Sequence, residues 1–488
     1  MVGHSRIGFT NLGYIWEHTR GFRTKRLYEQ HKKHLIIRLG PNSLSFADVR
    51  AIRDIYGHST KCGKGELYTV QAGSHFNLLD VVDKDEHSRK RRMLSNAFAT
   101  RNLEQWEFKV HDKVKKLVTQ FDKYCTEQLL DGEEPKAEDL TINFRRWSNL
   151  FTVDAIADIG LSETLGLLVT GNDTLMIDTN KASKESFHFV ESLHGGNRAA
   201  SIIAWADAWF HILKPVTDLA SRYFNQQWQH GRNYGKIVSH LTRRRLQRYQ
   251  NGEQLDDFLA CLIHDKQGKP RHLDQGEIEA EVNVIMNAGS DTTAIALTHA
   301  LYYLIKNPSK LAKLREEVAS AFSNDSTIVP YAKVKNLPYL KACLDESLRI
   351  TPPVSFGLPR KTPPEGTLII GKFIPGNTAV SVPAYVTHRD PDIFPQPEEY
   401  RPERWLEDEE KAKEMRNYFI PFSAGARGCI GRNISYLEQH VLIATLVHRY
   451  DFALPHKNWV LDWEEAFNMW PSQMPLKVWR RQSVRAAT

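Results

Sequence analysis

The chain has 488 residues, 41% hydrophobic and 25% charged, which suits a protein with a large buried core and excludes fibrous and low-complexity classes. Its formal net charge of +7 spreads 65 lysines and arginines among 58 acids with no basic and aromatic repeat, which argues against a nucleic-acid partner. Five cysteines, Cys62, Cys125, Cys261, Cys343 and Cys429, show no CxxC spacing, which argues against a zinc site or a disulfide framework.

The first 34 residues lack the apolar core of a signal peptide. Residues 35–39, the turn Gly40-Pro41-Asn42 and residues 44–46 read as strand, turn and strand. Helical periodicity then predicts helices over 47–56, 86–99, 102–127, 142–160, 205–249, 254–265, 274–305, 308–322 and 340–350. In the second of these, His87 and Arg91 stand one turn apart in the basic run 87–92, by default a solvated face. Residues 284–305 are long enough to cross a bilayer, but Asn287, Asp291 and His299 interrupt them, so an interior helix is the better reading.

That helix carries Ala288-Gly289-Ser290-Asp291-Thr292-Thr293. Thr292 can return its hydroxyl to the carbonyl of Ala288, and Gly289 has no side chain to resist a bend, so the turn can open to a small ligand. Asp291 and Thr292 then form a proton-delivery pair. The competing reading gives Gly289 to close helix packing and Asp291 and Thr293 to capping or the surface. Further on, Glu346 and Arg349 stand i, i+3 on a helix flanked by Leu337-Pro338-Tyr339-Leu340 and Thr351-Pro352-Pro353. This predicts a buried pair, with Arg404 as its third member.

Short β-prone runs at 367–370, 372–374 and 379–382 precede a proline-rich coil over 383–428. A connection of that length without secondary structure is usually functional. It ends in the glycine-rich run 422–431, Phe-Ser-Ala-Gly-Ala-Arg-Gly-Cys-Ile-Gly, where Cys429 opens an apolar helix. The helix dipole and free backbone N–H groups predict a lowered thiol pKa and a soft-metal ligand, which reads as an axial haem ligand.

Taken together and in this order, the motifs resemble the cytochrome P-450 superfamily of haem-thiolate monooxygenases, over essentially the whole chain from about Leu35 onward. FxxGxRxCxG is met at Phe422, Gly425, Arg427, Cys429 and Gly431, and AGxDTT at Ala288, Gly289, Asp291, Thr292 and Thr293. ExxR is met at Glu346 and Arg349, and the PERF-type element at Pro402-Glu403-Arg404-Trp405. The resemblance implies an α+β, mostly helical prism with small β-sheets, its haem buried between the Gly289/Thr292 helix and the Cys429 helix. It implies a single catalytic domain over 35–488; the N-terminal segment, 1–34, departs from the family's pattern in lacking the usual membrane anchor.

Roles follow from the same resemblance. Haem b takes the Cys429 thiolate as axial iron ligand, which pushes electron density into the iron. Phe422, Gly425 and Gly431 shape the loop at the sulfur. Arg427, His87, Arg91 and Arg360 bind propionates, and Ala288 and Gly289 line the opposite face; the family often has tryptophan where His87 stands. Asp291 and Thr292 manage the protons of dioxygen activation, while Glu346, Arg349 and Arg404 hold the coil before the cysteine.

The implied partners are a small apolar substrate, dioxygen, and electrons from NADPH through a diflavin reductase that docks near Arg89, Lys90 and Arg92. Segments 62–79, 285–288, 353–358 and 467–471 would line the substrate pocket, with Phe76, Phe356, Phe467 and Met469. The 86–98 cluster is similar to filamentous-fungal members, many of which oxidise secondary metabolites. The implied location is the cytosolic face of the endoplasmic reticulum, with peripheral membrane contact in place of an anchor. The implied activity is hydroxylation or epoxidation; desaturation or oxidative phenol coupling is the alternative. The Asp291–Thr292 pair disfavours an isomerase, and a non-enzymatic haem sensor or carrier ranks last because it needs no such pair.

Overall fold

The computed structural model describes residues 3–4, 11–70, 72–130, 132–180, 183–322 and 328–481. The helices that position the site are α1 (Asn11–Thr19), α2 (Arg23–His31), α3 (Lys84–Ser95), α4 (Glu107–Tyr124), α5 (Phe144–Leu161), α6 (Phe189–Ile203), α7 (Phe210–Ala220), α8 (Arg222–Gln250), α9 (Gln275–Lys306), α10 (Pro308–Ala321), α11 (Pro338–Ile350) and α12 (Arg432–Arg449). Their starts follow local chemistry. Asp83 caps α3 by accepting from Glu86 N at 2.8 Å, and Asp274 caps α9 by accepting from Glu277 N at 2.9 Å. Pro308 and Pro338 open α10 and α11, where a missing N–H leaves no helix bond unmade.

From Thr293 to Tyr302 every residue of α9 is buried. It packs on α5, α8, α11 and α12, and one apolar cluster joins these helices through Phe151, Ile237, Leu297, Leu344 and Leu442. A five-stranded sheet lies outside this core, built from β1 (Gly3–His4), β2 (Ile36–Gly40), β3 (Ser43–Phe46), β4 (Arg360–Lys361) and β5 (Ala379–Ser381). Its order is β1-β2-β3-β5-β4: β2 and β3 form an antiparallel hairpin, β5 runs parallel to β3 and β4 antiparallel to β5. A separate hairpin, β6 (Trp463–Ala466) and β7 (Asn468–Pro471), turns at Phe467, whose φ of 68° is left-handed.

The mostly helical α+β architecture agrees with the sequence, but several elements differ. The predicted 205–249 helix is two, α7 and α8, separated at Ser221, which caps α8 by accepting from Phe224 N. The predicted 254–265 helix shrinks to Leu259–Ile263. Residues 383–428 are not structureless, since Ala384–Thr387, Pro402–Trp405 and Glu409–Tyr418 are helical turns or helices. Within the N-terminal segment, α1 packs on α6, and Thr24 N donates to Glu465 of β6 at 2.8 Å.

Candidate functional site

The Cys429 loop is held by its own backbone. Cys429 N donates to Phe422 O at 2.8 Å, and Gly428 N donates to Gly425 O at 3.0 Å. Gly425 has φ +64°, and a Cβ there would lie 2.0 Å from Tyr56 O, so both conformation and space demand glycine. Gly431 has no such constraint: a Cβ would sit 3.9 Å from Cys429 Sγ. The Phe422 ring packs on Tyr436 at 5.3 Å. Burial pushes the Cys429 thiol above its ordinary value; a Gly431 backbone N–H and the charges of Arg91 and Arg432 oppose this without offsetting it. The expected lowering is therefore corrected: Cys429 is exposed on the open side of its loop, yet it sits deep enough among the surrounding chain for desolvation to outweigh the nearby charges. A coordinated metal reverses that balance, since a ligating thiol loses its proton outright.

Cations gather beside this loop. Arg91 of α3 donates to Gly428 O at 2.5 Å, and Arg427 donates through Nη2 to Val82 O at 3.2 Å. Arg360 of β4 donates to Tyr68 Oη at 2.6 Å. Buried His87 is kept neutral, its pKa pushed to about 3 by burial and then by Arg427, Lys64, Arg91 and Arg360. Lys64, absent from the sequence reading as an anion ligand, belongs to the same cluster. It is buried, donates to Leu78 O and Leu79 O, and is lowered to about 7 by burial and then by Arg427 and Arg360. Arg427 Nη1 is buried without a hydrogen-bond partner among the described residues. Mutually repelling cations and an orphaned guanidinium nitrogen beside a cysteine fit a cofactor with a thiolate-bound metal and two carboxylates, which is the chemistry of haem.

On α9, Thr292 Oγ1 donates to Ala288 O at 2.7 Å, as its sequence predicts. Ala288 is exposed and Thr292 partly so, although Ser290, Asp291 and Thr293 beside them are buried; one face of a buried helix is open. Gly289 lies on another face, where a Cβ would stand 2.7 Å from the Ile156 side chain of α5. Close packing is thus its structural role. Thr293 donates to Ser435 at 3.0 Å and ties α9 to α12.

Asp291 is buried and accepts from Arg145 at 2.9 Å, His194 at 2.9 Å, Asn468 at 2.8 Å and Trp470 at 2.5 Å. Burial alone would raise its pKa, but His194, Arg145 and Asn468 hold it well below the usual carboxylate range. It is saturated and ionised, and carries no proton of its own to deliver. None of these partners is visible near it in sequence.

Glu346 and Arg349 form a fully buried bidentate pair, both contacts at 2.9 Å. Arg404 joins as expected, donating to Glu346 Oε1 at 3.0 Å, and Trp405 Nε1 donates to Oε2 at 3.0 Å. The guanidinium groups spend their other N–H groups on the coil: Arg349 on the carbonyls of His388, Pro397 and Glu399, Arg404 on those of Pro395 and Gln396. His388, which no motif marks, extends the network to Ile420.

Of the expected pocket residues, Phe356 and Phe467 meet edge to face at 5.3 Å, and Phe356 also meets Trp205 at 5.6 Å. Met469 is fully buried and Phe76 half exposed. The expected docking cluster is also corrected. Lys90 is buried and bridges Glu277 at 2.7 Å and Glu281 at 2.9 Å, while Arg89 pairs with Glu86 and Glu277. These cations fasten α3 to the first turns of α9; Arg92 alone of the three remains exposed without an acid among the described residues.

Comparison with known proteins agrees with this geometry. Residues 19–478 match the family described as Cytochrome P450. The chain is 29% identical over 481 residues to the benzoate 4-monooxygenase bphA of Aspergillus niger, across 97% of this chain and 91% of that protein. It is 32% identical over 468 residues to the cytochrome P450 monooxygenase cicH of Emericella nidulans, across 94% and 88%. Its fold matches the cytochrome P450DA heme domain with a TM-score of 0.75 at 18% identity, across 95% of this chain and 94% of that one.

Proposed function

Because the chain belongs to the cytochrome P450 family of haem-thiolate monooxygenases, we propose that it hydroxylates or epoxidises a small apolar organic molecule with dioxygen and reductase-supplied electrons. Residues 35–488 form its catalytic domain, NADPH feeds the reductase, and the product belongs to fungal secondary metabolism. The aromatic cluster of Phe356, Phe467 and Trp205, and the benzoate named for one relative, favour an aromatic substrate.

The observation that carries the reading is the meeting of the Cys429 loop with the cations of α3, β4 and Lys64. Cys429 would hold the haem iron; Arg91, Arg360, Arg427, Lys64 and the neutral imidazole of His87 would hold its propionates. Bound there, the haem supplies the redox chemistry of dioxygen activation. The chain does the rest. Phe422, its ring packed on Tyr436, would shield the sulfur, Thr292 offers the hydroxyl on the open face of α9, and Asp291 beside it in the chain is held ionised.

No helix among the described residues is long and apolar enough to cross a membrane. On α7, Ile212, Val216 and Leu219 share one face and are exposed, with Trp209 just before them. We assign this face to peripheral contact with the endoplasmic reticulum. The test of the central reading is optical. The reduced protein under carbon monoxide is expected to show the red-shifted Soret band of thiolate ligation, lost in Cys429→Ser. A haem-reconstituted wild type without that band overturns it.

A further inference from the structure

The three aromatic side chains assigned to the substrate all stand on turns rather than on helices. Trp205 lies in the turn between α6 and α7, Phe356 in the coil after α11, and Phe467 at the turn of the β6–β7 hairpin. Turns leave a ring more freedom than helices do, so something else must hold these three in place.

One short stretch of the N-terminal segment, residues 18–24, is tied to all of them. Arg23, only 2% exposed, sets its Cζ 4.7 Å from the centre of the Trp205 ring and 5.1 Å from that of Phe356. Both distances suit a cation–π contact, and a planar guanidinium stacks on a ring where an ammonium does not. His18 stacks on Trp205 at 5.0 Å. Burial and then the Arg23 charge hold the His18 pKa well below its ordinary value, so its neutral Nε2 accepts from Arg23 Nη1 at 3.1 Å. Thr24 Oγ1 meets the Oγ of Ser355, next to Phe356, at 3.0 Å. Glu465, two residues before Phe467, accepts from Thr24 N at 2.8 Å, donates its own N–H to Gly21 O at 2.8 Å, and lies 3.9 Å from Arg23 Nη1.

We propose that Arg23 is a positioning residue for the aromatic substrate: it holds Trp205 and Phe356 at their 5.6 Å edge-to-face spacing, and residues 18–24 form the outer wall of the substrate site. Resting on the monooxygenase reading above, this draws into the site a segment ahead of the 35–488 domain. A wall built only for packing needs no charge there. Taking a guanidinium out of water is costly, and an apolar side chain would fill the same space without that cost. What the guanidinium adds is one plane against two rings, with Glu465 to balance its charge and His18 to orient it.

The test titrates the haem-loaded full chain with imidazole, 4-phenylimidazole and 4-biphenylylimidazole, which share one iron-binding nitrogen and differ in aromatic length, and reads the Soret shift. Wild type, Arg23→Met, Trp205→Leu and the double variant are compared. Arg23→Met is expected to weaken the biphenylyl ligand about tenfold and to leave imidazole within about twofold. Trp205→Leu is expected to do the same, and the two losses to combine less than multiplicatively, because Arg23 acts through Trp205. In proteins that keep the thiolate band, an equal shift of all three ligands, no shift, or losses that multiply overturns the positioning role. Wild type alone gives a second measurement: the biphenylyl ligand is expected to slow amide hydrogen exchange in residues 18–24 about threefold or more, and imidazole is not. Equal exchange with the two ligands overturns the wall. A wild type without the thiolate band overturns the monooxygenase reading and this role with it.

Discussion

His388 donates through Nδ1 to the carbonyl of Arg349 at 3.1 Å, while its Nε2 accepts from the backbone N–H of Ile420 at 2.8 Å. One imidazole thereby joins the buried Glu346–Arg349 pair to the chain two residues before Phe422. Burial, reinforced by the Arg349 charge, pushes its pKa to about 3, which keeps the neutral tautomer that this donor and acceptor pattern requires. His388→Leu is expected to leave both backbone groups buried and unpaired. At ~1–3 kcal/mol for each, the loss is about 2 to 6 kcal/mol. Urea denaturation of the haem-loaded protein checks it, and an unchanged midpoint would show that the bridge contributes nothing.

Acid sensitivity follows from the same group and from His299, which is fully buried, donates to Ile295 O at 3.0 Å and is pushed to about 4 by burial. For both, the folded pKa lies below the ordinary 6.5, so the unfolded chain takes up the proton first as pH falls. Their contribution is complete above pH 6.5 and is lost from there down to the folded values. At pH 5 each destabilises the fold by about 2 kcal/mol relative to neutral pH. His299→Gln cannot charge and is expected to lose about 2 kcal/mol less than wild type between pH 7.5 and pH 5 in paired urea titrations. An equal loss contradicts the assignment.

Dense local patterns made the Cys429 loop, the Thr292 turn and the Glu346–Arg349–Arg404 network readable from the chain. Long-range partners were not. Asp291 looked like a proton donor because its four partners come from α5, α6 and β7, and no periodicity carries that information. Helix α6 was hidden by Gly195-Gly196, which locally signals a break. In the fold the two glycines let α8 approach: a Cβ on Gly195 would lie 2.5 Å from His230, and one on Gly196 would lie 2.8 Å from Gly231. The run 87–92 misled in the other direction, because Lys90 meets acids almost two hundred positions away.

Arg427 tests the cofactor contact most directly. Its Nη1 is buried without a partner among the described residues, and its neighbours Arg360 and Lys64 repel it, so a bound carboxylate is the natural complement. Arg427→Leu is expected to raise the rate of haem transfer to an apomyoglobin acceptor at least tenfold, about 1.4 kcal/mol or more. A transfer rate equal to wild type would mean that Nη1 does not meet a propionate.

Reductase docking should separate the three cations that sequence groups together. Lys90→Ala strands the buried Glu281, while Glu277 keeps Arg89; removing one partner of a buried pair typically costs about 3 to 5 kcal/mol, so its effect is expected in the unfolding midpoint. Arg92→Glu leaves the fold intact and is expected to slow reductase-supported reduction, more at low salt than at high salt. Stopped-flow reduction at two ionic strengths decides it. A rate loss in Arg92→Glu that is indifferent to salt would count against an electrostatic docking role.

Three glycines that share motif status should respond differently to alanine. At Gly425, φ of +64° and a Cβ 2.0 Å from Tyr56 O force the loop to move, so Gly425→Ala is expected to lose haem retention. At Gly289 the clash is with the side chain of Ile156 at 2.7 Å, which separates α5 from α9. Gly289→Ala is therefore expected to lower stability by about 1 to 3 kcal/mol while the thiolate band survives, and Ile156→Val should recover part of the loss. At Gly431 the new methyl only touches Cys429 Sγ at 3.9 Å, an ordinary contact, so Gly431→Ala is expected to keep both stability and haem. Haem content and unfolding midpoints of the three variants check the order. If Gly431→Ala fell as far as Gly425→Ala, the spacing of the motif would reflect a demand at the sulfur that backbone geometry does not impose.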